Sequence, residues 1–439
     1  MKKSRYNIWV GDIAQSNLCY NALTGGFAEF DRDAKNILDK IDAGLLSSDS
    51  LNDKEKKIYD ELLKGKFIVE DDNIFDELSL QYRRGVYSNN SIGLTILPTL
   101  RCNFRCVYCY ENHYEMDMQS DVVGKIKDYV KDKVENAKIS SVFVNWYGGE
   151  PLLNLDAIRE LSNYFIEVCE RNKCYYSADI ISNGWLLTDE IAKELADFRI
   201  KSYQITIDGP KKIHDKYRIL PNGGSTYNRI VDAIKIASKY MRVDVRINVS
   251  KELGENLAEF FSELPEELKK LPFYPAKMSA DTTQVCQSVK DICMEDKKFA
   301  EKQVEFYKFA VSHNMGIAMY PKPTTGGCCA NAISSIIIGP DGSLYRCWSQ
   351  VGELEESYGN ILDINNTFRP ENYYKWVLFD PFSIAECKEC QIFPICIAGC
   401  PAKWISSTKY LMPEKSNKCS MFKYNINQYL EMIYESKKC

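Results

Sequence analysis

The sequence predicts an α/β protein built on a partial, TIM-like (β/α)6 barrel. A small winged-helix-like α+β module precedes the barrel, and a loop-rich, cysteine-bound tail follows it. Three observations predict this. Strand-like and helix-like stretches alternate through residues 91–320, which implies a parallel sheet. Glycine-rich and polar motifs follow the strands rather than precede them, as at the C-terminal mouth of a parallel barrel. The 17 cysteines are clustered, nine of them between Cys328 and Cys439 and three within eight residues at Cys102, Cys106 and Cys109.

Composition sets the outer bounds. The 439 residues are 45% apolar and 27% charged, with a formal charge of −5 and three histidines. That is an ordinary globular make-up, and a chain built to grip nucleic acid would be basic. Met1-Lys2-Lys3-Ser4-Arg5-Tyr6 leads into no apolar signal core, and no run approaches the ~18 apolar residues of a membrane span. The reading is a cytoplasmic chain without a membrane or nucleic-acid partner. Its thiols then stay reduced and are better metal ligands than disulfides.

Residues 1–90 form the first part. Tyr6–Val10 reads as a strand, and Thr24-Gly25-Gly26 turns a hairpin between Tyr20–Leu23 and Phe27–Phe30. Ala34, Ile37, Leu38 and Ile41 mark one helix. Leu51-Asn52-Asp53 caps a second through Ile58 and Leu62-Leu63, which Gly65 ends before a strand at Phe67–Val69. This resembles a winged-helix module, but 13 basic against 16 acidic residues point to a peptide partner rather than a phosphate backbone. In residues 91–320 the expected strands are Ile92–Leu97, Ser141–Trp146, Tyr176–Ile181, Tyr203–Ile207, Val243–Val249 and Phe273–Met278. Helices are expected at Asp121–Glu135, Asn154–Arg171, Asp189–Phe198 and Tyr227–Tyr240. Residues 321–439 are rich in turns and poor in long apolar runs, so crosslinks, here through metal, must hold them.

After the first barrel strand comes Cys102-Asn103-Phe104-Arg105-Cys106-Val107-Tyr108-Cys109. Three thiolates from one loop can hold a [4Fe–4S] cube by three corners and leave one iron open. A zinc site is the alternative, with His113 as fourth ligand. The second strand runs into Trp146-Tyr147-Gly148-Gly149-Glu150-Pro151, whose glycines admit close approach of a ligand. Ser182-Asn183-Gly184 follows the third strand, and Thr206-Ile207-Asp208-Gly209-Pro210 the fourth, leading to His214 and Arg218. Arg246 on the fifth strand faces the same region if the register holds. His214 beside Asp215 reads as a structural histidine. In the tail, Cys387-x2-Cys390-x5-Cys396-x3-Cys400 precedes Cys419, and Cys329 (or Cys328) opens a C-x12-G-x4-C pattern ending at Cys347. A zinc ribbon competes for these.

Taken together, Thr99–Glu111 and the motifs after it resemble the radical S-adenosylmethionine (SAM) superfamily, and the tail is similar to its SPASM extension. The resemblance implies that Cys102, Cys106 and Cys109 hold a [4Fe–4S] cluster whose fourth iron takes SAM. It implies that Tyr108, Gly148, Gly149 and Glu150 contact SAM, its amino group falling to the Gly-Gly-Glu-Pro element. Ser182, Thr206 and Arg218 hold the SAM carboxylate, a role suited to the planar fork of arginine. It also implies two auxiliary clusters, three in all. Cys329 or Cys328 with Cys347 and Cys400 would bind the first. Cys387, Cys390, Cys396 and Cys419 would bind the second. The fourth corner of the first is open, or goes to the other of Cys328/Cys329, to Cys286 or to Cys293. Cys19, Cys169, Cys174 and Cys439 are spectators.

Members of this kind mostly modify peptides. The expected activity is that of a radical SAM oxidoreductase maturing a ribosomally made precursor peptide, most simply by a thioether or carbon–carbon crosslink. The first 90 residues would recognise the peptide's leader, and a flavodoxin or ferredoxin would supply electrons. The alternatives are a sulfatase-maturing, formylglycine-generating enzyme and a non-catalytic zinc-binding regulator. Sulfatase-maturing enzymes carry an aspartate directly after the cysteine of the G-x4-C element, where this chain has Trp348.

Overall fold

The computed structural model describes residues 1–11, 17–46, 51–70, 73–111, 113–278, 290–316, 320–405 and 418–436. Cys286 and Cys439 lie outside them. In the head, β1 (Lys2–Lys3) pairs antiparallel with a short strand, β5 (Ile68–Val69). Between them in sequence, β2 (Asn7–Trp9), β3 (Leu18–Asn21) and β4 (Gly26–Glu29) form an antiparallel sheet of three strands. Helix α1 (Arg32–Asp42) is capped by Asp31, and α2 (Asp53–Lys64) by a capping box of Asn52 and Glu55. Ala34, Ile37, Leu38 and Ile41 bury one face of α1 against Tyr59, Leu62 and Phe67. The sequence reading missed a third helix, α3 (Ile74–Val86), which buries Leu78, Tyr82 and Val86 at four-residue spacing. That stripe packs on Phe382, Ile392 and Phe393, so the head docks on the tail.

The predicted barrel is present. β6 (Ser91–Ile96), β7 (Ser141–Trp146), β8 (Tyr175–Ile181), β9 (Ile200–Thr206), β10 (Arg242–Val249) and β11 (Phe273–Lys277) lie side by side in chain order, all parallel. The crossovers carry α4 (Ser120–Glu135), α5 (Leu155–Arg171), α6 (Asp189–Asp197), α7 (Lys211–Tyr217) and α8 (Tyr227–Ala237). Alternate strand residues such as Leu94, Val144 and Ile180 bury against Ile126, Leu161 and Phe165 of the outer helices. The other face keeps Thr95, Asn145, Gln204 and Arg246 toward the inside of the curve. The sheet does not end where the tail begins. β12 (Ser335–Ile338) adds parallel to β6, and β13 (Ser343–Tyr345) and β14 (Gly359–Asn360) follow antiparallel. The tail thus extends the barrel sheet, and its terminal helix Phe422–Ser436 packs along the helix Asp296–Ser312. No helix among the described residues is long and apolar enough to cross a membrane.

Candidate active site

The cysteine loop leaves the end of β6 and is tied down by backbone and ion pairs. Arg101 forks onto Asp117 at 2.8 and 2.7 Å. Arg105 N donates to Ile219 O at 2.8 Å and Val107 N to Tyr217 O at 3.0 Å. These ties turn Cys102, Cys106 and Cys109 into one cavity of about 360 Å³ at the C-terminal ends of the strands. Burial pushes the Cys102 thiol up to about 12 and raises Cys106 and Cys109 as well. The thiols are therefore held neutral until a metal displaces their protons. His113, weighed as a zinc ligand, places Nε2 3.5 Å from Cys109 Sγ.

The Gly148–Gly149 turn closes against this loop. Gly149 N donates to Thr99 O at 3.3 Å and Glu150 N to Arg101 O at 2.8 Å. Both glycines line the cavity, as do Ser182, Thr206 and Tyr108. Glu150 does not. Its carboxylate is fully buried and accepts from Ser182 Oγ (2.8 Å), Asn183 N (2.7 Å) and Leu152 N (3.1 Å). It is a brace joining the ends of β7 and β8.

Burial pushes the Glu150 carboxyl from its ordinary 4.5 up to about 7, against the pull of those three donors. Between these pH values the unfolded chain has released the proton and the folded chain still binds it. Stability of the cofactor-free protein therefore falls as pH rises through this window, by up to about 3 kcal/mol from this group. Glu150→Gln removes that slope. Its destabilisation in urea melts is expected to be larger at pH 5 than at pH 7.5, and an equal loss at both would show that Glu150 does not titrate there.

A second network anchors the opposite wall. Tyr108 donates to Asp208, and its hydroxyl receives Arg218 Nη1 at 2.9 Å and Asn248 Nδ2 at 3.1 Å. Asn248 N in turn donates to Asp208 Oδ1 at 2.9 Å, and Arg246 Nε to Asn248 Oδ1 at 2.9 Å. Arg218 is buried over the Phe104 ring. Arg246 does reach the cavity, as the register required. His214 is fully buried between Asp208 N (3.2 Å) and Thr226 Oγ1 (3.1 Å), and burial drives it far below its ordinary value. It is the structural histidine the sequence indicated.

Sequence reasoning gave no role to Asp208, Asn248, Glu111 or Lys277. Asp208 fixes Tyr108, and the other three line the cavity. Asn248 was within reach, since it sits two residues after Arg246 on the same face of a strand. Trp348 is the other informative wall. Its ring lies tilted against Tyr147, centroids 4.6 Å apart, and lines both this cavity and a second one of about 400 Å³ on the concave face of the sheet.

Every cysteine among the described residues is a free thiol. In the tail they fall into two neighbourhoods. Cys387 is raised to about 12 by burial and then by the charges of Cys396, Cys390 and Cys419. Cys347 is raised to about 11 by burial and then by Cys400 and Cys328. Cys293 lines the main cavity instead of joining either set. Among the described residues no three such side chains are close enough to grip a single ion. A four-iron cube takes its thiolates at separate corners, and the donor chemistry of all three groups fits it.

Comparison with known proteins agrees with this geometry. Residues 96–263 match the Radical SAM superfamily. A cysteine-type anaerobic sulfatase-maturating enzyme of Clostridium novyi (strain NT) is 25% identical over 347 residues, covering 71% of this chain and 88% of the relative. The radical SAM cyclopropyl synthase TigE of Paramaledivibacter caminithermalis is 19% identical over 452 residues, covering 94% and 92%. Native anSMEcpe with bound AdoMet and Cp18Cys peptide superposes with a TM-score of 0.59 at 19% identity, over 79% of this chain and 99% of that one. Streptococcus suis SuiB bound to precursor peptide SuiA superposes with a TM-score of 0.51 at 13% identity, over 95% and 99%.

Proposed function

We propose that this chain, an enzyme of the radical SAM superfamily, modifies a ribosomally made precursor peptide and closes an intramolecular thioether or carbon–carbon crosslink in it. The observation that carries the reading is the single cavity onto which three cysteine thiols, a Gly-Gly turn and a buried arginine all open. When bound, a four-iron cluster and SAM supply a 5′-deoxyadenosyl radical by reductive cleavage of the sulfonium. Cys102, Cys106 and Cys109 would hold the cluster. The backbone at Gly148 and Gly149 would receive the SAM ammonium, with Glu150 holding that turn in place. Arg218, aided by Ser182 and Thr206, would take the carboxylate, and Tyr108 would be fixed beside it by Asp208. The walls of Tyr147 and Trp348 keep water from the reacting centre.

In this reading residues 1–90 bind the leader, 91–320 form the radical SAM barrel and 321–439 a SPASM-like tail with two further clusters. A flavodoxin or ferredoxin delivers electrons. Two observations support a precursor peptide over a sulfatase. TigE and SuiB match the chain with its head included, at 94% and 95%, whereas the sulfatase maturase covers 71%. Trp348 also stands where a sulfatase maturase carries its aspartate. The sulfatase reading keeps two points in its favour, the 25% identity to the Clostridium novyi enzyme against 19% to TigE and the TM-score of 0.59 to anSMEcpe against 0.51 to SuiB.

Anaerobic enzyme, SAM, reductant and a precursor peptide encoded beside the gene form the test. The expected product has lost two hydrogens per crosslink, with 5′-deoxyadenosine formed alongside. Deuterium uptake without mass loss in protium would mean epimerisation. Conversion of a sulfatase cysteine peptide to formylglycine would move the assignment there. Arg218→Met is expected to leave iron content unchanged and to weaken SAM binding roughly 10–100-fold, the worth of a charge-assisted contact (about 1.5–3 kcal/mol). Equilibrium binding of SAM to the unreduced protein reads this directly.

A further inference from the structure

We propose that the auxiliary site nearest the barrel is closed by four thiolates, with the adjacent residues Cys328 and Cys329 both serving as ligands beside Cys347 and Cys400. The inference rests on the reading that the tail holds clusters, and it settles which residue fills the fourth corner. Packing brings their segments together. Ala330, Trp376 and Ala402 share one buried cluster, with Cys347 packed against it. Ala330 follows Cys329 directly and Ala402 lies two residues after Cys400, so three separate segments meet at one place.

The adjacent pair is presented by a tight bend that is rigidly held. Asn331 N donates to Cys328 O at 2.9 Å and Ala332 N to Cys329 O at 3.2 Å. Arg346, only 2% exposed, donates to Ala330 O at 2.9 and 3.1 Å and to Cys329 O at 3.3 Å. Asn331 Nδ2 fastens the bend to Trp376 O at 2.7 Å. The two thiols leave neighbouring positions of this one bend. No more distant cysteine is needed, and Cys293 lines the other cavity. Cys329 also lines the concave cavity with Arg346 and Trp348. Cys329 is therefore the ligand that would face the barrel, and with it bound no iron would be left free there for a peptide thiolate.

The test removes the barrel cluster first, with the variant Cys102→Ala/Cys106→Ala/Cys109→Ala, so that only tail iron is counted. This parent should hold about eight iron atoms. Added cyanide should leave the electron paramagnetic resonance of its reduced clusters unchanged. Adding Cys328→Ala or Cys329→Ala should either shed about four irons or open a corner whose signal cyanide now shifts, and serine at the same position should restore the iron. The proposal is overturned if cyanide already shifts the parent's signal. It is equally overturned if either added variant keeps both the parent's iron and its indifference to cyanide. A parent without tail iron would sink the auxiliary-cluster reading as well, so the iron count tells the two failures apart.

Discussion

Alanine at Cys102, Cys106 or Cys109 is expected to abolish 5′-deoxyadenosine formation, a loss of at least ~10³-fold, and each single variant should do as much harm as the triple, because the three act as one unit. In the proposed reading, losing one thiol would leave two ligands where three would be needed to hold a cluster with a single iron free for SAM. Iron content should fall by about four atoms per chain. The fold should survive, because the bonds made through sulfur, Phe104 N to Cys102 Sγ at 3.4 Å and Cys109 Sγ with His113 Nε2 at 3.5 Å, are long and few. The Arg101–Asp117 fork and the bonds from Arg105 N and Val107 N remain when a thiol is removed. Circular dichroism melts within a few degrees of the parent would confirm that chemistry, not folding, was lost. Variants of the tail should behave differently. Cys387→Ala should still cleave SAM while failing to complete the peptide product. A triple barrel variant that still made deoxyadenosine would contradict the site.

The contrast between these two cysteine groups shows how far the sequence reaches. The barrel loop was legible because its three thiols sit in one eight-residue stretch and follow a strand, so spacing alone implies convergence. The strands themselves were legible because β-branched and aromatic residues are bounded by polar motifs, and Ser141–Trp146 was placed to the residue. The brace role of Glu150 was not legible. A carboxylate beside two glycines reads as ligand-facing until the structure shows Ser182 and Asn183 turned onto it. Helix α3 was within reach, since Leu78, Tyr82 and Val86 recur at four-residue spacing; what local pattern does not carry is the partner that face meets, Phe382 and Phe393, some three hundred residues away. The continuity of the tail with the barrel sheet escaped for the same reason, since the pairing of Ser335–Ile338 with β6 is a long-range choice. What spacing cannot give is the second body against which a residue packs.

Gly149→Ala is expected to cost about 3 kcal/mol of stability or more and to weaken SAM binding at least tenfold, although it changes no functional group. A Cβ at this position would lie 2.3 Å from Arg101 O and 2.7 Å from Leu100 O. Both are backbone atoms of the segment leading into Cys102, so no flexible side chain can swing aside. Relief requires the turn to back away from the cysteine loop, which breaks Glu150 N to Arg101 O. The Glu150 brace moves with it, and Ser182 and Asn183 lose their acceptor. Gly148→Ala should be worse still. Its Cβ would fall 2.4 Å from Thr99 O, and its φ of +127° is one that a side chain rarely accepts. Gly124→Ala is the control. It lies within α4 with nothing inside 4 Å of the added Cβ, so it should raise stability by about 0.5–1 kcal/mol. Urea melts with SAM titrations on all three variants separate the cases. Gly149→Ala with parental stability and parental SAM affinity would show that the turn and the cysteine loop are not coupled, and that the cavity is not assembled by the contact between them.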